Sequence, residues 1–298
     1  MPFSSIVVNT LVWGSELGLI AVGMSLVFGI LGFANFAQAE FVTVGAYLTY
    51  AFQVNMGLPL LFSIPLAMLA TGFIAILLDL TIFNHLRDAS PVAKMVVSVG
   101  IAICIRSIIA LLFGTSALSI NYSTKRLPEL LGFGFTDLQA IIILTALASM
   151  IVFHLVFQQT RLGKALRATA NNMNLAEAKG IDTVHVIRWM WFISGAFAAL
   201  GGILIGTETQ LRPAMGQFVI MPMFAAVTVG GLGNAYGAVL GSLVLSLAQN
   251  IALSVNFGPL VGKPFLLIRA GYKDAVSLVV LGATLLIRPE GIAGKRAK

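Results

Sequence analysis

The sequence predicts an all-α, polytopic integral membrane protein with eight to nine hydrophobic segments, some of them discontinuous helices, in a single transmembrane domain over residues 1–298. Three observations carry this. Of 298 residues, 58% are hydrophobic and only 10% charged, too little polar surface to clothe a soluble domain. Several apolar runs exceed the roughly 18 residues that mark a membrane-crossing helix. The remaining polar residues concentrate in one island, Gln158–Trp191.

Taken in order, apolar spans fall near Ile6–Leu31, Phe36–Val54, Leu58–Phe83, Ala93–Gly114 and Asp137–Phe157. After the island come spans near Val186–Gly206, Gln217–Gly233, Ala235–Val255 and Tyr272–Ile287. That makes nine segments, one or two of them broken or not fully crossing.

Orientation follows from the basic residues. If the island is cytoplasmic, alternation places Arg87, Lys94, Arg161, Lys164, Arg167, Lys179, Arg188, Arg288, Lys295, Arg296 and Lys298 on that side. The other side receives Lys125, Arg126, Arg212, Lys263, Arg269 and Lys273. Eleven against six follows the positive-inside rule and sets the N-terminus outside and the C-terminus inside. Trp189 and Trp191 beside Arg188 suit an interfacial anchor. The Gly32–Gln38 turn lacks a basic residue, so it is either short and sheltered or stops short of the far surface.

Within the island, Leu162, Ala165, Leu166 and Thr169 make a modest helical stripe, with Arg161, Lys164 and Arg167 around it. Asn171-Asn172 breaks the pattern, and a second short helix follows with Gly180 suited to its C-cap. Two readings fit: a handle for another protein, or a solvated connector.

Glycines punctuate two regions in corresponding halves, Gly29–Tyr47 and Gly216–Ser242. Such interruption marks discontinuous helices lining a solute path, and equally marks close helix packing through small residues. Asn35, Gln38 and Glu40 tilt the first region toward a path, because polar side chains in hydrocarbon are costly. Gly230, Gly231 and Asn234 are the path candidates in the second. Glu16 and Arg106 fall at comparable depth on different helices and are expected to pair; the alternative has Arg106 snorkelling and Glu16 facing water. Asp79, near a cytoplasmic helix end, is expected to be hydrated.

Several functions are excluded. No G-x-x-x-x-G-K-[ST] run exists, so any ATP must be hydrolysed by another subunit. There is no H-E-x-x-H and only one cysteine, Cys104, so a zinc enzyme has no ligand set and no intrachain disulfide forms. His85, His154 and His185 lie far apart near cytoplasmic span ends and read as interfacial residues. No catalytic constellation and no cofactor or metal site is expected. The +7 charge reflects loop placement and implies no nucleic-acid partner. No signal peptide is expected, since no basic residue precedes Arg87.

Five ordered blocks carry a family resemblance. The run VGMSLVFGILGFANFAQAEFVTVGAYLTY resembles the first block of permease subunits of branched-chain amino acid ABC importers. The stretch RLGKALRATANN…AEAKGI resembles that family's ATPase-contacting segment, and AFAALGGILIG, FAAVTVGGLGNAYGAVLGS and RPEGIAG follow in order. Gln38 and Ala39 stand where the family has a His-Gly pair, while Asn35, Phe36, Ala37, Glu40 and Phe41 are kept. Glu16 falls where an apolar or small residue is commoner.

The resemblance implies a permease of the bacterial inner membrane, embedded in lipid and working by alternating access. Its implied partners are two ABC ATPase subunits, a periplasmic solute-binding protein and a second permease subunit, favoured as a distinct paralogue. The implied solutes are branched-chain or neutral amino acids, with urea and short-chain amides as the alternative. It makes the loop at about 158–188 a cytoplasmic coupling-helix loop. The implied ATPase-coupling residues are Arg161, Leu162, Gly163, Leu166, Arg167, Ala168, Glu177, Gly180 and Ile181. An ion-coupled secondary transporter is the rival class, but it requires no protruding handle.

Overall fold

A computed structural model of the chain describes residues 3–120, 122, 124–126, 134–255 and 270–294. Expectations for Lys263, Arg269, Lys295, Arg296 and Lys298 lie outside these residues. The helices are α1 (Phe3–Leu31), α2 (Gln38–Tyr50), α3 (Leu60–Thr81), α4 (Pro91–Phe113) and α5 (Asp137–Gln159). The island supplies α6 (Arg161–Asn171) and α7 (Met173–Ala178). Then follow α8 (Thr183–Glu208), α9 (Met215–Gly230), α10 (Ala235–Ser254) and α11 (Lys273–Ile287).

Among the described residues, six helices are long and apolar enough to cross a membrane: α1, α3, α4, α5, α8 and α10. The chain is therefore an all-α, multi-pass membrane protein. Three expected spans are shorter, with α2, α9 and α11 having 13, 16 and 15 residues. At about 1.5 Å per residue each reaches only about 20–24 Å, less than the roughly 30 Å hydrocarbon core. One π-helical turn, Ala51–Asn55, extends α2.

Local chemistry sets the helix ends. Thr136 and Gln139 form a reciprocal capping box at the start of α5. The side chains of Thr160, Asn172 and Asp182 accept the backbone N–H groups of Gly163, Leu175 and His185, and so start α6, α7 and α8. At the end of α7, Gly180 takes φ +80°, with Gly180 N bonded to Glu177 O at 2.8 Å and Ile181 N to Ala176 O at 3.0 Å. That is a Schellman closure, which needs a left-handed residue at this position.

Packing arranges the helices around α1 and α8, which are enclosed on nearly all sides, while α3, α4 and α5 leave a broad apolar face outward. Helix α1 packs on α8 and α10, and α8 packs on α1 and α3; α2 lies against α3, α4 and α8, and α9 against α1, α10 and α11. Exchanging α1–α4 with α8–α11 reproduces these contacts. The two sets run in opposite senses: Gly201 of α8 faces the Glu16–Ile20 stretch of α1, whereas Ser194 faces Gly23. This is the inverted relation found in transporters built from two repeats.

Candidate functional site

Two regions stand out, a polar cluster where the short helices cross and the polar pair α6–α7. The first grows from the break between α1 and α2. Helix α1 ends at Leu31, yet Gln38 at the start of α2 meets Ser194, whose Oγ lies 2.9 Å from both Gly23 O and Gln38 Oε1. Gly23 is eight residues before Leu31, so α2 begins about 12 Å inside the end of α1. Helix α9 starts against the same place: Gly216 N donates to Thr43 Oγ1 at 3.0 Å, and Phe224 contacts Phe36 with ring centroids 4.9 Å apart. Gly216 has no room for a side chain, since a Cβ there would press on Ala39 O and Thr43 Oγ1.

At this crossing Glu40 is fully buried. Its Oε1 accepts from Arg106 Nη2 at 2.5 Å and its Oε2 from Thr43 Oγ1 at 3.2 Å. Arg106 Nη1 also donates to Gln217 Oε1 at 2.7 Å. The Arg106 side chain keeps 26% of its surface exposed, so the pair has one dry end and one end on the α2–α4–α9 face. A charge-assisted bond with such a geometry fixes both partners, and the carboxylate lies in the first turn of α2, where the helix dipole favours an anion.

This corrects the expected Glu16–Arg106 pair. Distance from a helix end does not decide contact: α4 turns Arg106 toward α2 and α9, where Glu40 lies near the Gly23–Ser194 level, whereas Glu16 lies at the level of Gly201. Glu16 instead lies 1% exposed beside a cavity it shares with Glu208 and Lys273. Asp79 is also not hydrated: it is buried and bonded to Arg87 at 3.3 Å. Trp191 is no interfacial anchor either, since it is fully buried in a stack with Phe83 (4.9 Å) that continues to Phe33 (5.5 Å).

The other path candidates have different places. Asn35 is buried, and its Oδ1 accepts from Ala37 N at 3.1 Å to shape the turn into α2. Gly230, Gly231 and Asn234 do not join the Glu40 cluster. Gly231 takes φ +108° against Glu290 and Gly294 of the tail, Gly230 packs on Gly237, and Asn234 caps α10 while its Nδ2 donates to Ala293 O at 2.9 Å. Gln217, Thr43 and Ser194 were missed in the sequence, because single polar residues in apolar runs carry no periodic signal.

The island residues divide by face. Leu166 and Gly163 are buried, and α6 packs on α1, α5 and α8. Arg167 folds back, with Nη1 donating to Phe157 O and the guanidinium 5.2 Å from the Phe157 ring centroid. Leu162 and Ala168 are partly covered, Glu177 accepts from Thr183 Oγ1 at 2.5 Å, and Gly180 and Ile181 form the turn described above. Outward stand Arg161, Lys164, Lys179 and Leu175, the last 55% exposed and not singled out by the sequence.

Comparison with known proteins accords with this architecture. The high-affinity branched-chain amino acid transport system permease protein LivH of Escherichia coli (strain K12) is 28% identical over 96% of this chain and 94% of its own. BraD of Pseudomonas aeruginosa, a protein of the same description, is 28% identical over 97% of this chain and 94% of its own. The probable branched-chain amino acid transport permease protein LivH of Methanocaldococcus jannaschii is 26% identical over 96% and 91%. The model of one family, described as branched-chain amino acid transport system / permease component, matches residues 6–288, and the chain belongs to that family.

Proposed function

We propose that the chain is one transmembrane half of an ABC importer that passes branched-chain or other neutral amino acids into the cytoplasm. It lies in the bacterial inner membrane with α6–α7 and the C-terminus cytoplasmic and the N-terminus outside, as the eleven-to-six distribution of basic residues favours. Two separate ATPase subunits dock on α6–α7, a second permease, a distinct paralogue, completes the path, and a periplasmic binding protein delivers the solute. The short helices α2, α9 and α11 bring the number of membrane segments to nine, some entering only part way.

The observation that carries this reading is α6–α7: two capped polar helices on an apolar bundle, gripping α1, α5 and α8 inward and offering Arg161, Lys164, Leu175 and Lys179 outward. Closure of the ATPases pushes this pair. Helix α6 transmits the push to α1, whose Gly23 faces Gln38 and Ser194, and so to the crossing at Glu40, Arg106 and Gln217. There Arg106 and Gln217 line the solute path at the face toward the second permease. The test is L-leucine uptake into proteoliposomes holding both permeases, the ATPases and the binding protein. Uptake should require ATP; uptake driven instead by a proton or sodium gradient without ATP would overturn the proposal.

A further inference from the structure

At the end of the bundle opposite α6–α7, α1, α8, α10 and α11 enclose a cavity of about 470 Å³, within the usual range for small-molecule sites. Its mouth is marked by Glu208 and Thr209, and its inner wall by Glu16, seven residues deeper on the antiparallel helix α1 at the level of Gly201. That is about 10 Å of depth. Asn250 of α10 and Lys273 of α11 complete the polar wall; Val12, Trp13 and Ile205 supply an apolar one.

The charges in this cavity act on one another, with Lys273 near enough to feel Glu208 and Glu16, but among the described residues they form no ion pair. Glu16 is 1% exposed, and among the described residues its Oε1 has no hydrogen-bond partner. Among those residues, too, no carboxylate lies within ion-pair distance of the Lys273 ammonium, which rests 5.1 Å from the centroid of the Trp13 ring. That ring is held by Trp13 Nε1 donating to Gln249 Oε1 at 2.7 Å. Buried polar atoms without partners are costly and uncommon, so a carboxylate at the cavity's inner wall with one oxygen shut in and unpartnered favours a cation beside it.

The helix termini say which charges the guest carries. Helix α8 ends at Glu208, so its negative dipole end and two carboxylates suit an ammonium. Helix α11 begins at Lys273, so its positive end and that ammonium suit a carboxylate, with Asp274 in the same first turn offsetting part of that charge. A bare cation fits poorly, because a lysine shares the wall and the space far exceeds one ion with its oxygen ligands.

We propose that this cavity binds a zwitterionic amino acid with an apolar side chain: its ammonium on Glu16 and Glu208, its carboxylate on Lys273, its side chain against Val12, Trp13 and Ile205. The identity of the guest rests on the amino-acid transport function proposed above. The site lies within one permease, away from the Glu40–Arg106 crossing, and would receive solute on its entry side.

The test is equilibrium binding of radiolabelled L-leucine to the full-length chain, with its second permease, in nanodiscs without ATPase or binding protein. Saturable binding is expected, weakened at least about tenfold by Lys273→Gln and by Glu208→Gln, since each removes a charge-assisted contact. Glu208→Gln at the exposed mouth guards against a Glu16→Gln variant that fails to fold. Leucinamide, lacking the carboxylate, and isocaproate, lacking the amine, should each compete at least about tenfold more weakly than leucine, by the same loss of one charged contact. Equal competition by either compound, displacement by sodium, or binding unchanged in both variants would overturn the proposal. So would absent binding in a preparation that still imports leucine with ATP when fully assembled. Failure of that import would instead count against the transport function.

Discussion

At the scale of single residues, the crossing of α2, α4 and α9 turns on one carboxylate. Glu40 is fully buried and Arg106 is its partner at 2.5 Å, so removing the arginine strands a charge in a dry site. Arg106→Gln should cost about 3 kcal/mol or more, and the double variant Glu40→Gln/Arg106→Gln should recover much of it. Thermal unfolding of the two purified variants checks this; a double variant no more stable than the single would mean the pair is not the source of the loss. A second residue-scale expectation concerns close packing. A Cβ on Gly202 would collide with the Val42 backbone carbonyl, so α8 and α2 touch backbone to backbone there. Gly202→Val should destabilise by about 1–3 kcal/mol through overpacking, read as a lower melting temperature in detergent.

At the scale of elements, α7 is the one whose exposed surface lacks an internal explanation. Leu175 is 55% exposed on a short helix that polar caps hold in place, in a protein segment that otherwise presents lysine, arginine and asparagine. An isolated exposed leucine needs no partner by itself, but here it rides on the pair proposed to meet the ATPase. Leu175→Glu should leave the permease folded while reducing solute-stimulated ATP hydrolysis at least about tenfold, as for loss of a buried apolar anchor at an interface. Unchanged stimulation would remove α7 from the contact. By contrast, Leu166 and Arg167 face inward, so changing them acts by loosening α6 from Phe157 and α1. The elements themselves were legible in the sequence. The island's two helices, the break at Asn171-Asn172 and the Gly180 terminus follow from polarity and capping chemistry. What was not legible is which face each helix turns inward. A nearly uniform apolar helix has no stripe, so nothing in the order of residues showed that α4 aims Arg106 at Glu40 rather than Glu16. The same blindness hid Asp79 in its contact with Arg87 and sent Trp191 to the surface instead of the Phe33–Phe83 stack.

At the scale of the whole molecule, the inverted arrangement of α1–α4 and α8–α11 ties sidedness to packing. Helix α8 runs 26 residues from Thr183, next to α7, to Glu208 at the cavity mouth. That is about 39 Å, more than the roughly 30 Å hydrocarbon core, so its two ends must emerge on opposite sides. Helix α1 lies antiparallel beside it, which puts the N-terminal end of α1 with Glu208 and its Leu31 end with α6–α7. The proposed cytoplasmic place of α6–α7 rests on the positive-inside rule, since the island carries Arg161, Lys164, Arg167 and Lys179 while the Glu208 end of α8 is followed by Arg212 alone before α9. In a Cys104→Ser background, Leu175→Cys and Thr209→Cys should label with an impermeant maleimide from opposite sides of sealed membrane vesicles. Right-side-out vesicles should label Thr209→Cys, and inside-out vesicles Leu175→Cys. Labelling of both from one side would break the link between α8 and a full crossing, and with it the inverted pairing of the two halves; labelling from opposite sides in the reverse sense would keep the architecture and turn the molecule over.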